Sequence, residues 1–255
     1  MRCFVAFVFV VVTCLSTYPL VSAETIYLPG EVTLSGTILV AEAFYETVED
    51  VLVPLQFQVW PGKRGLRSAD WFNVRIEAHP GDLIVLTPGL YKVDLWVFTP
   101  QITITTEPNT EEIAEIWGTV EIDADKVTLD RIAVTGPRKQ NSSGHGIEVN
   151  REVIDRITIR NCHIEENEWT GIHIIGPRGK ISELRVEDCR LIANGMDGMD
   201  AQSVENLIIT GCTITDNGWN LDQGVGVRIG SYVENIKMHD NLIAGNRFAD
   251  VYRKE

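Results

Sequence analysis

The sequence predicts an all-β fold, a parallel β-helix of about six coils behind a small N-terminal mixed cap. Three observations carry this. First, a block of one hydrophobic grammar recurs about every 26 residues: Leu129-Asp130-Arg131-Ile132, Ile154-Asp155-Arg156-Ile157, Ile181-Ser182-Glu183-Leu184, Val204-Glu205-Asn206-Leu207 and Val233-Glu234-Asn235-Ile236. Second, each copy restarts at a glycine-led strand beginning at Gly146, Gly171, Gly198 or Gly226, spaced by 25, 27 and 28 residues. Third, single residue types recur in column: Cys162, Cys189 and Cys212 with Asn241 in the last copy, and Asn167, Asn194, Asn217 and Asn246. In a stack of parallel coils like residues meet at about 4.8 Å per step. Asparagine amides can then bond from coil to coil, and asparagine also tolerates left-handed turn geometry.

Taken in order, residues 1–23 hold one charge, Arg2, an apolar run over residues 4–15, Pro19 and the small-residue ending Val21-Ser22-Ala23. That run is too short to span a bilayer, so it reads as a cleaved secretory signal of an exported protein, secreted, periplasmic or surface-bound. A lipoprotein signal at Cys14 is the rival, and Thr13 before it fits poorly. Residues 24–80 lie outside the repeat and form the cap region. Phe44, Val48, Val51 and Leu52 have the spacing of one helical face, so a closing helix over 41–52 is one reading, while Phe72, Val74 and Ile76 alternate as a strand, and only a mixed cap is predicted. The β-helix domain spans 81–255. Its first coil enters at Pro80-Gly81-Asp82, turns at Pro88-Gly89 and continues through 93–98 and 102–105. A second coil uses 119–122 and 127–134, giving a stack on the order of 29 Å. The sequence ends mid-coil at Asp250-Val251-Tyr252-Arg253, which predicts a partner surface, homo-oligomerisation through that coil, or a truncated chain.

With these columns in view, residues 81–255 resemble the right-handed parallel β-helix repeat family, the pectate-lyase-like superfamily. The entry Pro-Gly-Asp followed by Leu-Ile-Val-Leu and Pro-Gly-Leu-Tyr is similar to the first coil of its members. The resemblance implies the fold strongly. It implies function only broadly, because the same fold carries lyases, epimerases, glycosidases, NosD-type maturation proteins and structural modules.

Composition excludes some partners. The net charge is −14, and loss of residues 1–23 removes Arg2 and no acid, so nucleic acid is not expected as a partner. A polyuronate would be repelled unless a cation or an arginine patch intervenes. The three cysteines outside residues 1–23 share one inward column, which predicts buried free thiols, with one vertical disulfide as the alternative.

The residue between the two inward positions of each glycine strand points outward, so Glu148, His173, Asp200 and Arg228 form a polar ladder on one face, with His145 and Asp197 beside it. Lengthened turns at 137–143 and 217–223 flank that face, as loops around a site commonly do. An acid, an imidazole, a second acid and a guanidinium are the parts needed to remove a proton beside a carboxylate. Outward strand residues are also polar simply because they meet water, and ion-pair ladders imitate active sites. Flanking carboxylates are expected to hold the charge of His173 to higher pH.

Two residues after each ladder asparagine stand Trp169, Met196, Trp219 and Phe248. The tryptophans suit sugar rings or fill the coil corner; Met196 and Phe248 are expected to fold inward. Gly144-His145-Gly146 and Arg228-Ile229 are similar to fragments of the polygalacturonase pattern, but their order departs from it and the paired Asp-Asp is missing, so those roles are not carried over. No resident cofactor or metal is expected: Ca²⁺ is admitted only as a weak option at Asp197 and Asp200 with Asn194, and His163 and His239 lie too far apart in the coil order for a transition-metal cluster. Asn141-Ser142-Ser143 is a glycosylation sequon.

These readings converge on an exported, carbohydrate-interacting β-helix that binds a polysaccharide or glycan. The resemblance implies a polyuronate lyase or epimerase in which Arg228 or Ca²⁺ neutralises the uronate, His173 is the base and Asp200 or Glu148 orients it or returns the proton. The alternative is a non-catalytic surface or assembly module.

Overall fold

A computed structural model describes residues 25–28, 44–48, 51–56, 72–76, 80–86, 88–91, 93–136, 143–150, 153–175, 180–220 and 224–254. The chain winds as a parallel solenoid of about six turns with three faces. The ladder face stacks Phe72–Ile76, Val93–Val97, Val120–Ile122, Ile147–Val149, Ile172–Ile174, the first half of Met199–Thr210, Val225–Val233 and Ala249–Arg253. A second face stacks Thr25–Leu28, Leu83–Leu86, Thr103–Thr106, Val127–Asp130, Val153–Arg160, Lys180–Glu187, the second half of Met199–Thr210 and Lys237–His239. The third face stacks Gly89–Tyr91, Ala114–Trp117, Ile132–Thr135, His163–Glu165, Arg190–Ile192, Thr213–Thr215 and Leu242–Ala244. Met199–Thr210 bends through a corner and joins the first two faces into one sheet.

Alternation sets what is inside. Ile147 and Val149, Ile172 and Ile174, Met199 and Ala201, and Val227 and Ile229 point inward from the ladder face and are buried. They meet Ile157, Ile159, Leu184, Val186, Leu207 and Ile209 from the second face and Ile164, Leu191 and Ile214 from the third. Burying an aliphatic column on every rung is the main stabilising term, at about 25 cal/mol per Å² of apolar surface. The leading glycines are required by close approach: a Cβ at Gly171 would stand 2.6 Å from the Gly198 carbonyl oxygen, and one at Gly198 2.7 Å from that of Gly226.

Both predicted columns form. Asn167 Nδ2 donates to Asn194 Oδ1 at 2.8 Å, Asn194 Nδ2 to Asn217 Oδ1 at 2.9 Å, and Asn217 Nδ2 to Asn246 Oδ1 at 2.8 Å. Each amide also donates to a carbonyl of the coil before, from Asn167 to Val134 and from Asn194 to Ile164, for instance. The ladder has a defined end. Among the described residues Asn167 Oδ1 is buried without a hydrogen-bond partner.

At this corner the left-handed residues are not the ladder asparagines. They are Glu166, Ala193, Asp216 and Gly245, one position earlier, at φ of 55°, 53°, 59° and 70°. Turning just before the asparagine leaves its amide free to point inward along the stack. The thiols of Cys162, Cys189 and Cys212 are buried and free, and burial pushes that of Cys189 well up. These three thiols are expected to resist a thiol reagent such as Ellman's in the native protein and to react together on unfolding. Reaction without unfolding would mean that the column opens.

The helical spacing within 41–52 gives strands, not a helix, in the described residues. Phe44–Val48 and Val51–Gln56 pair as an antiparallel hairpin, because the run is rich in aromatic and β-branched residues that favour strands. The strand read at Phe72, Val74 and Ile76 is present and joins the ladder face beside Val93–Val97, while Thr25–Leu28 pairs with Leu83–Leu86. Residues 1–23 lie outside the described residues. Among the described residues no helix is long and apolar enough to cross a membrane. On the last coil Leu242, Phe248, Val251 and Tyr252 are exposed. Phe248 is therefore not the inward plug expected of it.

Candidate functional site

Register places the predicted ladder on one face, rung by rung: Glu148 pairs with His173, His173 with Asp200, and Asp200 with Arg228. The column is longer than the glycine pattern suggested. Trp96 and Glu121 precede Glu148, and Tyr252 follows Arg228. Sequence reading missed these three because their strands lack the leading glycine. The signal was still there, since Leu95-Trp96-Val97 and Val120-Glu121-Ile122 repeat the apolar–outward–apolar triplet.

The side chains converge at the middle of this column. His173 Nε2 lies 4.0 Å from Asp200 Oδ2, with the two side chains only 21% and 15% exposed. The ring of His145 stacks on that of His173 at 4.0 Å between centroids, and Trp169 meets His145 edge-on at 5.6 Å. Asp197 is buried, and both its oxygens are used: Arg228 Nε donates to Oδ2 at 2.7 Å, and Arg228 Nη2 and the Val225 N–H donate to Oδ1 at 3.0 and 2.7 Å. Gln202 donates to Asp200 Oδ1.

Burial governs the charge states. It lowers the pKa of His145 to about 3, helped by the neighbouring His173, and lowers that of His173 against the pull of Asp197. This reverses the expectation that flanking carboxylates would keep His173 charged: desolvation of the imidazole outweighs them. Asp200 moves the other way, raised to about 6 by burial and by Asp197, although Gln202 and Arg228 favour its ionised form. Glu121 is raised by burial and by Glu148, Asp123 and Asp94. Arg228 is raised by its hydrogen bonds to Asp197, so its charge is already committed. Unlike a flat, evenly solvated ladder, this is a half-buried cluster of a neutral imidazole and an easily protonated carboxyl.

The two tryptophans separate. Both are nearly half exposed, Trp169 at 46% and Trp219 at 44%, so neither is a corner plug. Trp169 belongs to the histidine cluster, whereas Trp219 Nε1 donates to the Ala193 carbonyl at 2.7 Å, beside the asparagine corner. Gly144 lies against Trp169, where an added Cβ would be 2.8 Å from Cδ1. Of the residues named for Ca²⁺, the Asn194 amide is used in the asparagine ladder and Asp197 is used by Arg228 and Val225.

Residues 118–252, more than half of the chain, match the family described as right handed beta helix region. The chain belongs to this right-handed β-helix family. No curated protein and no solved structure matches it. Membership in the β-helix family fixes the scaffold, and the chemistry has to be read from the ladder itself.

Proposed function

We propose that this exported β-helix acts on a carbohydrate polymer laid along the ladder face, with His173 and Asp200 as its proton-transfer pair. The observation that carries the reading is their pairing: a neutral imidazole and a carboxyl of pKa about 6, half-buried, 4.0 Å apart. That gap is too long for a direct hydrogen bond and fits an oxygen held between the two. Such a pair suits elimination or epimerisation at a uronate. His173 Nε2 takes the proton from the carbon beside the carbonyl. In elimination, Asp200 gives one to the departing glycosidic oxygen as the C–O bond breaks and a C=C bond forms.

Substrate class follows from charge. Arg228 is committed to Asp197, and Glu121 and Glu148 stand on the same column, so among the described side chains the middle of the face is weighted toward carboxylates, which disfavours an ionised uronate. An esterified polyuronate carries no such charge, and its carbonyl makes the adjacent C–H more acidic. Exposed Trp169 supplies an apolar plane for a sugar ring.

The test follows the ultraviolet absorbance of the unsaturated product, and sugar composition for epimerisation, on methyl-esterified polygalacturonate, pectate and alginate with and without Ca²⁺. Turnover is expected on the ester, without dependence on Ca²⁺, and little on the free acids. Glycan binding with no product on any of them would overturn the proton-transfer role and leave the face as a non-catalytic recognition surface.

A further inference from the structure

His145 occupies the column that continues as Thr170, Asp197 and Val225 on successive coils, just before the leading glycines. At two of these rungs a side chain takes the amide hydrogen of the next coil. His145 Nδ1 accepts the Thr170 N–H at 3.3 Å, as Asp197 Oδ1 accepts that of Val225 at 2.7 Å. The bond requires a lone pair on Nδ1, so a neutral His145 carries its proton on Nε2. The backbone thus anchors a ring that is 7% exposed and lies on His173, the two planes 29° apart. Trp169 closes against it edge-on, at 77°. On the other imidazole, His173 Nδ1 is buried with no hydrogen-bond partner among the described residues.

We infer that His145 is a positioning residue whose stacked, backbone-anchored ring fixes the orientation of His173 and keeps water from its inner edge. This deepens the proton-transfer reading of His173 and rests on it. The charged groups around the pair are Asp200 across Nε2, Asp197 locked to Arg228, Glu148 on the preceding rung, Arg228 two rungs on and Lys254, whose charge acts on Asp200. A proton arriving on His173 finds a second imidazole against its face, and the two rings cannot both be charged at that separation without mutual repulsion. His173 is thereby held as a free base at pH values where an exposed histidine would already be protonated. Asp197 does the analogous work for Arg228 one coil further along, so the same column steadies both ends of the cluster.

The decisive measurement is the NMR titration of the His173 ring in the full chain, wild type against His145→Asn and His145→Phe. Asparagine keeps an oxygen for the Thr170 N–H, as Asp197 does for Val225, but removes the ring; phenylalanine keeps the ring. Wild type and His145→Phe are expected to titrate below the ordinary histidine value of about 6.5, and His145→Asn to return toward it. The acid limb of any activity profile should rise with it. If His145→Asn fails to fold, His145→Gln carries the same comparison. Equal titration of His173 in the wild type and the amide variant, or an ordinary value in the wild type, would overturn the inference. No substrate is needed, so a protein inactive on every glycan counts against the proposed activity while the titration still decides the role of His145.

Discussion

Replacing Asn194 by alanine is expected to destabilise the protein by about 3–5 kcal/mol, far more than the loss of one side-chain hydrogen bond in water-exposed positions. The side chain is fully buried and works in both directions along the stack. Its Oδ1 accepts the Asn167 N–H at 3.2 Å and the Asn167 amide at 2.8 Å; its Nδ2 donates to Ile164 O at 3.1 Å and to Asn217 Oδ1 at 2.9 Å. Alanine leaves the Asn167 N–H and the Ile164 carbonyl buried without these partners, each costing about 1–3 kcal/mol, and opens a cavity as well. Asn246, half-buried at the far end of the ladder, has water available, so its alanine variant should cost only about 1 kcal/mol. Urea denaturation of the two variants checks this. Equal losses at the two positions would show that the ladder is not a cooperative unit.

The asparagine ladder was legible from sequence because coil stacking turns a period along the chain into a column in space. Cys162, Cys189 and Cys212, the outward order Glu148, His173, Asp200, Arg228, and the rung spacing all follow from that one rule. What the rule does not reach is where a side chain at a corner bends. The sequence places Asp197 and His145 beside the ladder, yet each turns to take the next coil's amide hydrogen, and Asp197 thereby captures Arg228. The competition between desolvation and nearby carboxylates at His173 also depends on packing depth, set by the stacked His145, which no spacing reveals. Outside the repeat the rule is silent, and local chemistry misled: the helical spacing at residues 41–52 lost to the strand preference of the same residues.

Over the pH range where the ladder works, His173→Ala and Asp200→Asn should each lower turnover of the esterified polyuronate by about 10²- to 10⁴-fold, the usual span for a lost general base or acid. The sign of the pH dependence follows from the two shifts. His173 must be unprotonated to accept a proton, and burial lowers its pKa, so activity falls only as pH drops through a value below that of an ordinary histidine. Asp200 must be protonated to donate, so activity falls as pH rises through about 6. The wild-type profile is therefore a bell with a mildly acidic optimum, its limbs reporting the coupled pair rather than isolated groups. Asp200→Asn removes the alkaline limb from the residual activity, and His173→Ala removes the acid limb. Neither side chain hydrogen-bonds to the backbone of a neighbouring coil among the described residues, so thermal melting should shift little in either variant. A wild-type optimum on the alkaline side, or a residual profile in Asp200→Asn that still falls through about 6, would take the acid role away from Asp200.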